Sequence, residues 1–524
     1  MSRVMVFFCV MSLGACVAAA APNYSITSEP YLTGGLFTNP LLPHVGQEIS
    51  ITIRAVCEGG AQQKPSARIA ILDAAGETVF EKQLGLTPSP AVQNDGQKKD
   101  APPSVPSAEA AVTWKSGHNG LFTVRAGIDP ENAVAESCES DNEAELVLPV
   151  VVTGKGRKLH FPWYRESACT RWCTCITSAE KTQRVLERGI MPLAWEYGGM
   201  SWTNYDKELA KTDPEAVLAE FERLFYERYS STADVFGFGI DEVGGYPESF
   251  ALRASVASVK ALARVKANMP RRFFAVWNGG SLRPEIAAYC RQGADLLILE
   301  TYLWRALPDE LGCQDIYAAL ESRVEPYVRA MDMFQPAYAN DCYTLFGLDT
   351  SERPDRTDVG ELEQVIRFIR HKFPEMRGVG WYNGGYGSYG LTRTEATDQH
   401  HDAVQQKADQ LCFEYWIKPC VTLMEKSLWI SQEPDGDKSL VLAVSNVGSV
   451  DSGSVTVELF ADGAPVGAQS IDHVPAGAGR NENTVQIRQP IDVVGGSHTF
   501  KAVITSAPGS TVLDDVVELT RYVP

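Results

Sequence analysis

The stretch Val235-Phe236-Gly237-Phe238-Gly239-Ile240-Asp241-Glu242 reads as a short apolar strand, Val235–Ile240, that runs out into two carboxylates. A helical pattern over Ser249–Asn268 follows, and then a second apolar run, Phe273–Trp277. Strand, helix and strand in that order make a unit with parallel strands, because parallel neighbours need a long crossover between them. The same unit repeats outward. Upstream lie extended segments at Lys158–Trp163 and Trp172–Thr177, a helix over Ala179–Arg188, a strand over Ile190–Trp195 and a helix over Pro214–Tyr229. Downstream come helix Pro284–Arg291, strand Asp295–Glu300, helix Asp315–Met331 and strand Gln335–Ala339. Helix Val359–Lys372, strand Gly378–Trp381 and helix Asp402–Ile417 complete the series. Eight strands alternating with helices in residues 156–425 match a (β/α)8 TIM barrel, which needs about 250 residues. The competing topology is an open doubly wound sheet. It is disfavoured because no G-x-G-x-x-G phosphate loop follows the first strand.

The flanks follow a different period. In residues 24–153, the runs Ile49–Val56, Ala67–Leu72, Phe122–Ala126 and Glu145–Val152 alternate or are β-branched, with a polar loop expected at about 88–108. Residues 427–523 repeat the theme in Leu440–Ser445, Ser454–Ala461, Asn483–Ile487 and His498–Thr505, separated by Gly, Asp, Asn and Pro turns. Two β-sandwiches around a central barrel are therefore expected. The acidic run from Asp129 through Cys138 to Asn142, ahead of a last strand, resembles the final hairpin of CARDB-type immunoglobulin-like domains. Asn446-Val447-Gly448 after Leu440–Ser445 points the same way. On that resemblance Cys57 and Cys138 are placed to bridge strands of the first sandwich. Neither flank carries a chemical constellation, so spacing, packing or glycan binding is the expected role.

In a barrel the chemistry sits at the C-terminal ends of the strands. Those ends read Trp163-Tyr164-Arg165-Glu166, Trp195-Glu196-Tyr197, Asp241-Glu242, Trp277-Asn278, Glu300-Thr301-Tyr302-Leu303-Trp304, Tyr338-Ala339-Asn340-Asp341 and Trp381-Tyr382-Asn383. Trp and Tyr offer flat faces for the C–H side of a sugar ring, while Asp, Glu and Asn accept from its hydroxyls. Any one of these residues could serve packing alone. Together at one barrel mouth they point to a carbohydrate site, because burying so many polar groups without use is costly. Two adjacent carboxylates raise one pKa, which keeps a proton ready for a leaving group at neutral pH.

The segment ending in Asp241-Glu242 resembles glycoside hydrolase family 20, the β-N-acetylhexosaminidases, whose fourth barrel strand also ends on Asp-Glu. The resemblance implies that Glu242 is the acid/base and that Asp241 orients a 2-acetamido group of the substrate as nucleophile. It also implies aromatics such as Trp277, Trp304 and Trp381 around that group, with Tyr302 or Tyr343 donating to it. The family's pattern of His, any residue and two glycines before Asp-Glu is met only in part: Gly237 stands at the His position and Ile240 at the second glycine. Two protein carboxylates give a rival scheme, with Glu242 as acid/base and Glu300 as nucleophile, and with Glu196 or Asp341 binding hydroxyls. A variant makes Asp241 the nucleophile and Glu300 the acid, similar to α-galactosidase-type barrels. Carboxyl separation decides between retention at about 5–5.5 Å and inversion at about 6.5–9.5 Å. A carbohydrate-binding surface protein without catalysis is the alternative from another class.

The chain has 524 residues, 44% hydrophobic and 22% charged, and a net charge of −19. That length implies two to four domains, at roughly 100–200 residues each. The acidity disfavours nucleic acid as a partner. Residues 1–21 read as a secretion signal: Arg3, then an apolar run, then small residues up to Ala21. Leu13-Gly14-Ala15-Cys16 also resembles a lipobox, which would anchor the exported chain through Cys16. No later stretch is apolar enough to span a membrane. Twelve cysteines, ten of them beyond this leader, are compatible with disulfides after export. Cys173-Thr174-Cys175 lacks a second pair, and His160, His400 and His401 are too few and badly placed for a zinc centre. No cofactor is expected.

Overall fold

The structure is a computed structural model that describes residues 23–26, 35–40, 43–58, 65–89, 107–134, 138, 142–151, 172–173, 191–196, 213, 215–216, 218–223, 237–243, 249–269, 273–278, 284–300, 315–323, 342–347, 359–374, 378–382, 403, 406–432, 437–476 and 482–523. The expected leader at 1–21, with Cys16, lies outside them.

The first sandwich pairs two antiparallel sheets. One holds β1 (Asn23–Ser25), β2 (Gly35–Asn39), β3 (Glu48–Glu58), β6 (Thr87–Ser89) and β7 (Ser107–Lys115). The other holds β4 (Ser66–Leu72), β5 (Thr78–Gly85), β8 (Gly120–Ile128) and β9 (Glu143–Val150). Ile49, Ile51 and Ile53 of β3 meet Ile69 and Ile71 of β4 and Phe122 and Val124 of β8 in one buried core, as period-two alternation requires. The expected loop is shorter than 88–108, since β6 and β7 occupy its two ends. The acidic turn after β8 is built around buried Asp129, whose carboxylate accepts from the backbone N–H of Ala133 at 3.1 Å and of Val134 at 2.7 Å. Cys57 lies on β3, opposite Tyr24 of β1. Its side chain, and so the expected bridge to Cys138, lies outside the described residues.

The central unit carries seven strands: β10 (Trp172–Cys173), β11 (Met191–Glu196), β12 (Gly237–Val243), β13 (Phe273–Asn278), β14 (Leu296–Glu300), β15 (Cys342–Gly347) and β16 (Val379–Tyr382). They pair in strict chain order, every pair parallel. A doubly wound sheet needs a point where strand order reverses; none occurs among the described strands. The strand expected at Lys158–Trp163, and with it any closure of the sheet, lies outside the described residues. Helices α1 (Ser249–Asn268), α2 (Pro284–Gly293), α3 (Ile316–Arg323) and α4 (Val359–Lys372) fall where the sequence pattern puts them. Gly293 lets α2 approach α1 closely, because a Cβ there would stand 2.7 Å from the backbone nitrogen of Ala263. Lys266 of α1 bonds Asp295 ahead of β14 at 2.7 Å, and Asp295 accepts from the N–H of Phe274 at 2.9 Å, tying helix to strands.

The strand expected at Gln335–Ala339 lies outside the described residues. Between β14 and β16 the sheet takes Cys342-Tyr343-Thr344-Leu345-Phe346-Gly347 as β15, an apolar run suited to a strand covered on both faces.

The second sandwich joins β17 (Cys420–Thr422), β18 (Leu428–Gln432), β19 (Lys438–Asn446), β22 (Thr484–Ile491) and β24 (Thr511–Val512) in one sheet. The other sheet holds β20 (Val455–Ala461), β21 (Ala464–Ile471), β23 (Gly496–Ser506) and β25 (Val516–Val523). It is not a free appendage. Val447 and Leu513 share a core with Ile366 and Phe368 of α4 and with Trp416. Buried Arg370 of α4 donates to the carbonyls of Val447 and Pro374 and lies over the Trp416 ring at 4.8 Å. Asn446 is fully buried and uses its whole amide: Oδ1 accepts from the N–H of Cys420 at 3.1 Å and of Gly448 at 3.0 Å, and Nδ2 donates to the carbonyls of Val450 at 2.9 Å and Val474 at 3.1 Å. A Cβ on Gly448 would meet the Lys418 carbonyl oxygen at 2.1 Å. Asn446-Val447-Gly448 is thus the knot of this seam. The two sandwiches also touch, through Asn119 and the backbone N–H of Asp451 at 2.9 Å. Cys290 and Cys420 are buried free thiols, which burial pushes up to about 12 and about 11. Among the described residues no helix is long and apolar enough to cross a membrane.

Two outcomes are expected from the seam. Asn446→Ala strands buried backbone donors and acceptors, and chemical denaturation of the full chain should show a loss of about 3 kcal/mol or more. His371 of α4 bonds Asp514 at 2.6 Å, and that bond raises its pKa, opposed mainly by partial burial. A raised folded pKa gives stability that is complete below the unfolded value of about 6.5 and fades as pH climbs through the folded value. The pair is partly exposed, so the effect is small, below about 1 kcal/mol. Wild type should therefore out-melt His371→Asn at pH 5.5, and the gap should close by pH 9.

Candidate functional site

The sheet has two buried faces, and the pattern of burial tells them apart. Ile240, Val243, Phe274, Val276, Leu297 and Val379 share one core with Val259 and Leu262 of α1, Ile286 of α2 and Ile366 of α4. This is the helix side. Ala275, Trp277 and Ile298 are equally buried but belong to the opposite, inner face by strict alternation. Gly239 shares that face, because the Trp277 indole lies directly on it: a Cβ on Gly239 would stand 2.2 Å from Cζ3 and 2.7 Å from Cη2. Only glycine fits there.

Regular pairing runs from Gly237 opposite Phe273 to Ile240 opposite Val276, and resumes with Val243 opposite Asn278. Two residues, Asp241 and Glu242, therefore share the one place opposite Trp277. This is the count of a β-bulge, which breaks alternation and is found next to active sites. Burial agrees with the count. Ile240 and Val243 are three apart yet both lie on the helix side, which an unbroken strand does not allow. The expected acidic pair thus sits within the C-terminal end of β12, at its only register shift.

The same register sorts the other expected residues. Glu300 ends β14, one step past the pairing of Leu299 with Asn278, and falls in the alternate set of Ile298 and Trp277. Tyr382 ends β16 opposite Gly347 and belongs to that set too. Glu196 ends β11 opposite Ile240, while Asn278 and Trp381 fall with Val243 and Val379, so these three hold helix-side places in the register. Asn340 and Asp341 were expected to end the seventh strand. Both lie outside the described residues; β15 starts at Cys342, and its Leu345 pairs with Glu300. Tyr343, opposite Ile298, lies in the first half of that strand. Trp277 is fully covered and has no exposed face for a sugar; it supports the sheet from within. Trp163, Tyr164, Tyr197, Tyr302, Trp304 and Asn383 lie outside the described residues.

Sequence reasoning missed the seat of Trp277. The signal was there in Gly237 and Gly239, alternate glycines in an apolar strand, which mark a close approach from a neighbour. Among the described residues no three His, Cys, Asp or Glu side chains converge as a metal site would require.

No protein-family model matches the chain. No curated protein matches it either. Among solved structures, the CARDB domain of a Pyrococcus furiosus protein, in complex with di-metal ions, matches 25% of this chain and 96% of its own, at 16% identity and a TM-score of 0.18. A Paenibacillus cycloisomaltooligosaccharide glucanotransferase with bound cycloisomaltoheptaose matches over 93% of this chain and 71% of its own, at 9% identity and a TM-score of 0.34. The Bacteroides uniformis β-glucuronidase matches over 96% of this chain and 62% of its own, at 11% identity and a TM-score of 0.33. Likenesses at these scores assign neither family nor activity.

Proposed function

We propose that this chain is a glycoside hydrolase whose central sheet closes with an eighth strand into a (β/α)8 barrel. In this reading Glu242 protonates the glycosidic oxygen of a bound carbohydrate. The observation that carries it is the register shift placing Asp241 and Glu242 together at the C-terminal end of a strand inside a sequentially ordered parallel sheet. Such strand ends are where barrel enzymes work, and glycosidic cleavage needs an acid paired with a second carboxylate.

Glu300 is the second carboxylate we favour, as nucleophile or as base. It ends the next strand but one and shares the inner set with Trp277. Strands about 4.8 Å apart put the two backbones roughly 10 Å from each other. That backbone spacing is compatible with the carboxyl separations that either stereochemical course uses. The alternative implied by the likeness to family 20 keeps Glu242 as acid and gives the second role to Asp241, acting through a 2-acetamido group. The flanking sandwiches are read as CARDB-like supports, and the chain as exported, either soluble or anchored at Cys16.

The test is turnover of aryl glycosides by the full chain. Glu242→Gln should lower it at least about a hundredfold, the usual worth of a general acid, while glycan affinity persists. Glu300→Gln should cost as much if two protein carboxylates act. A loss under tenfold would move the second role to Asp241. A wild-type chain that cleaves nothing in a broad panel, yet binds glycans as tightly as Glu242→Gln, would end the hydrolase reading.

A further inference from the structure

We propose that β25 pairs along its open edge with β25 of a second copy of this chain, antiparallel about a two-fold axis at Leu519, so that two copies of the second sandwich share one continuous sheet. The inference is independent of the hydrolase reading and goes beyond it. It starts from the strand order β21-β20-β23-β25, in which β25 closes one edge of its sheet and has β23 as its one strand partner among the described residues.

The phase of that pairing tells which backbone groups face outward. The register runs unbroken from Gly496 opposite Val523 to Val503 opposite Val516. At the next step the Ile504 N–H donates to the Asp515 carbonyl at 2.7 Å. Opposite residues in an antiparallel ladder alternate between exchanging both bonds and exchanging none. Residues 517, 519, 521 and 523 therefore spend their backbone groups on β23. Val516, Glu518, Thr520 and Tyr522 turn theirs to the open edge. The Thr499 and Thr520 hydroxyls meet at 3.1 Å, as side chains of a pair without backbone bonds do. All four outward residues are exposed, Val516 at 39% and Tyr522 at 70%.

An open edge invites pairing unless something blunts it, and proline, bulges and lysines are the usual devices. β21, at the other edge of the same sheet, carries Pro465 and a register shift against β20. β5, an edge of the first sandwich, has Lys82 and a register shift against β4. β25 has none of these in its eight residues. Its pattern is also self-complementary. With Leu519 opposite its own copy, Val516 falls opposite Tyr522 and Glu518 opposite Thr520, so each outward residue exchanges both its bonds. Moving the centre to Thr520 would leave Val516 with no opposite residue in the strand. In the favoured register the two exposed apolar side chains cover each other. No like charges meet, because Glu518 faces a threonine and is paired in its own copy with Lys501 at 3.4 Å.

Sedimentation velocity of the full chain, from roughly 0.1 to 100 µM, reads the association. A concentration-dependent dimer is expected. Thr520→Pro removes an N–H that the fold itself does not use, where an edge strand tolerates proline. It should weaken the dimer at least about tenfold and leave the circular dichroism spectrum that of the wild type. Val516→Cys and Tyr522→Cys, mixed and oxidised, should give a disulfide-linked dimer that neither variant gives alone, because like positions lie roughly 20 Å apart in this register. A chain that stays monomeric throughout, a dimer as tight in Thr520→Pro as in the wild type, or a dimer without the 516–522 cross-link would overturn the proposal. Should Thr520→Pro not fold, the mixed-cysteine cross-link decides alone.

Discussion

The indole of Trp277 rests on bare backbone at Gly239, and much of the central unit follows from that contact. A parallel sheet in this setting is covered on both faces, so each residue must suit one side or the other. Trp277 fills the inner side across two strands and leaves no room for a side chain at 239. Two residues later β12 takes up an extra residue. The helix side stays intact through the shift, with Ile240 and Val243 both in its core. Between them two acidic positions occupy the register place of one. A large ring on a glycine and, two residues on, a register shift at two acidic positions thus stand side by side on neighbouring strands.

The rest of the molecule holds that unit steady. The second sandwich contributes Val447 and Leu513 to the same core that backs the sheet. Its attachment is polar as well as apolar. Asn446 satisfies four backbone groups at once, and Arg370 is buried against carbonyls and the Trp416 ring. A buried charge is costly unless it is hydrogen-bonded, and both terminal nitrogens of Arg370 donate to carbonyls. The first sandwich reaches the second directly at Asn119 and Asp451.

Much of this was legible in the sequence. Helices Ser249–Asn268 and Val359–Lys372 have the bounds their periodicity implies, and the sandwich strands follow their alternation. Parallel order followed from strand–helix–strand spacing. Register did not, because it depends on pairing across strands far apart in the chain, and a one-residue slip moves every side chain to the other face. That is why Glu196, Asn278 and Trp381, credible as strand-end residues, hold helix-side places, while Glu300 and Tyr382 hold inner ones. The pairing of Cys342–Gly347 between β14 and β16 was not foreseen either, since its short run carries no clear period. Asn446-Val447-Gly448 stood out as a pattern, but its role needed Cys420, Val450 and Val474 brought around it.

β12 slips by one residue at the acidic pair, so that positions 241 and 242 share one place in the register between helix-side neighbours. Single cysteines at 240, 241, 242 and 243, labelled in the folded full chain and located by peptide mass spectrometry, test it directly. Protection is expected at 240 and 243 and reaction at 241 and 242, with a bound glycan shielding the middle two. Strict alternation, with 241 and 243 reactive and 240 and 242 protected, would contradict it.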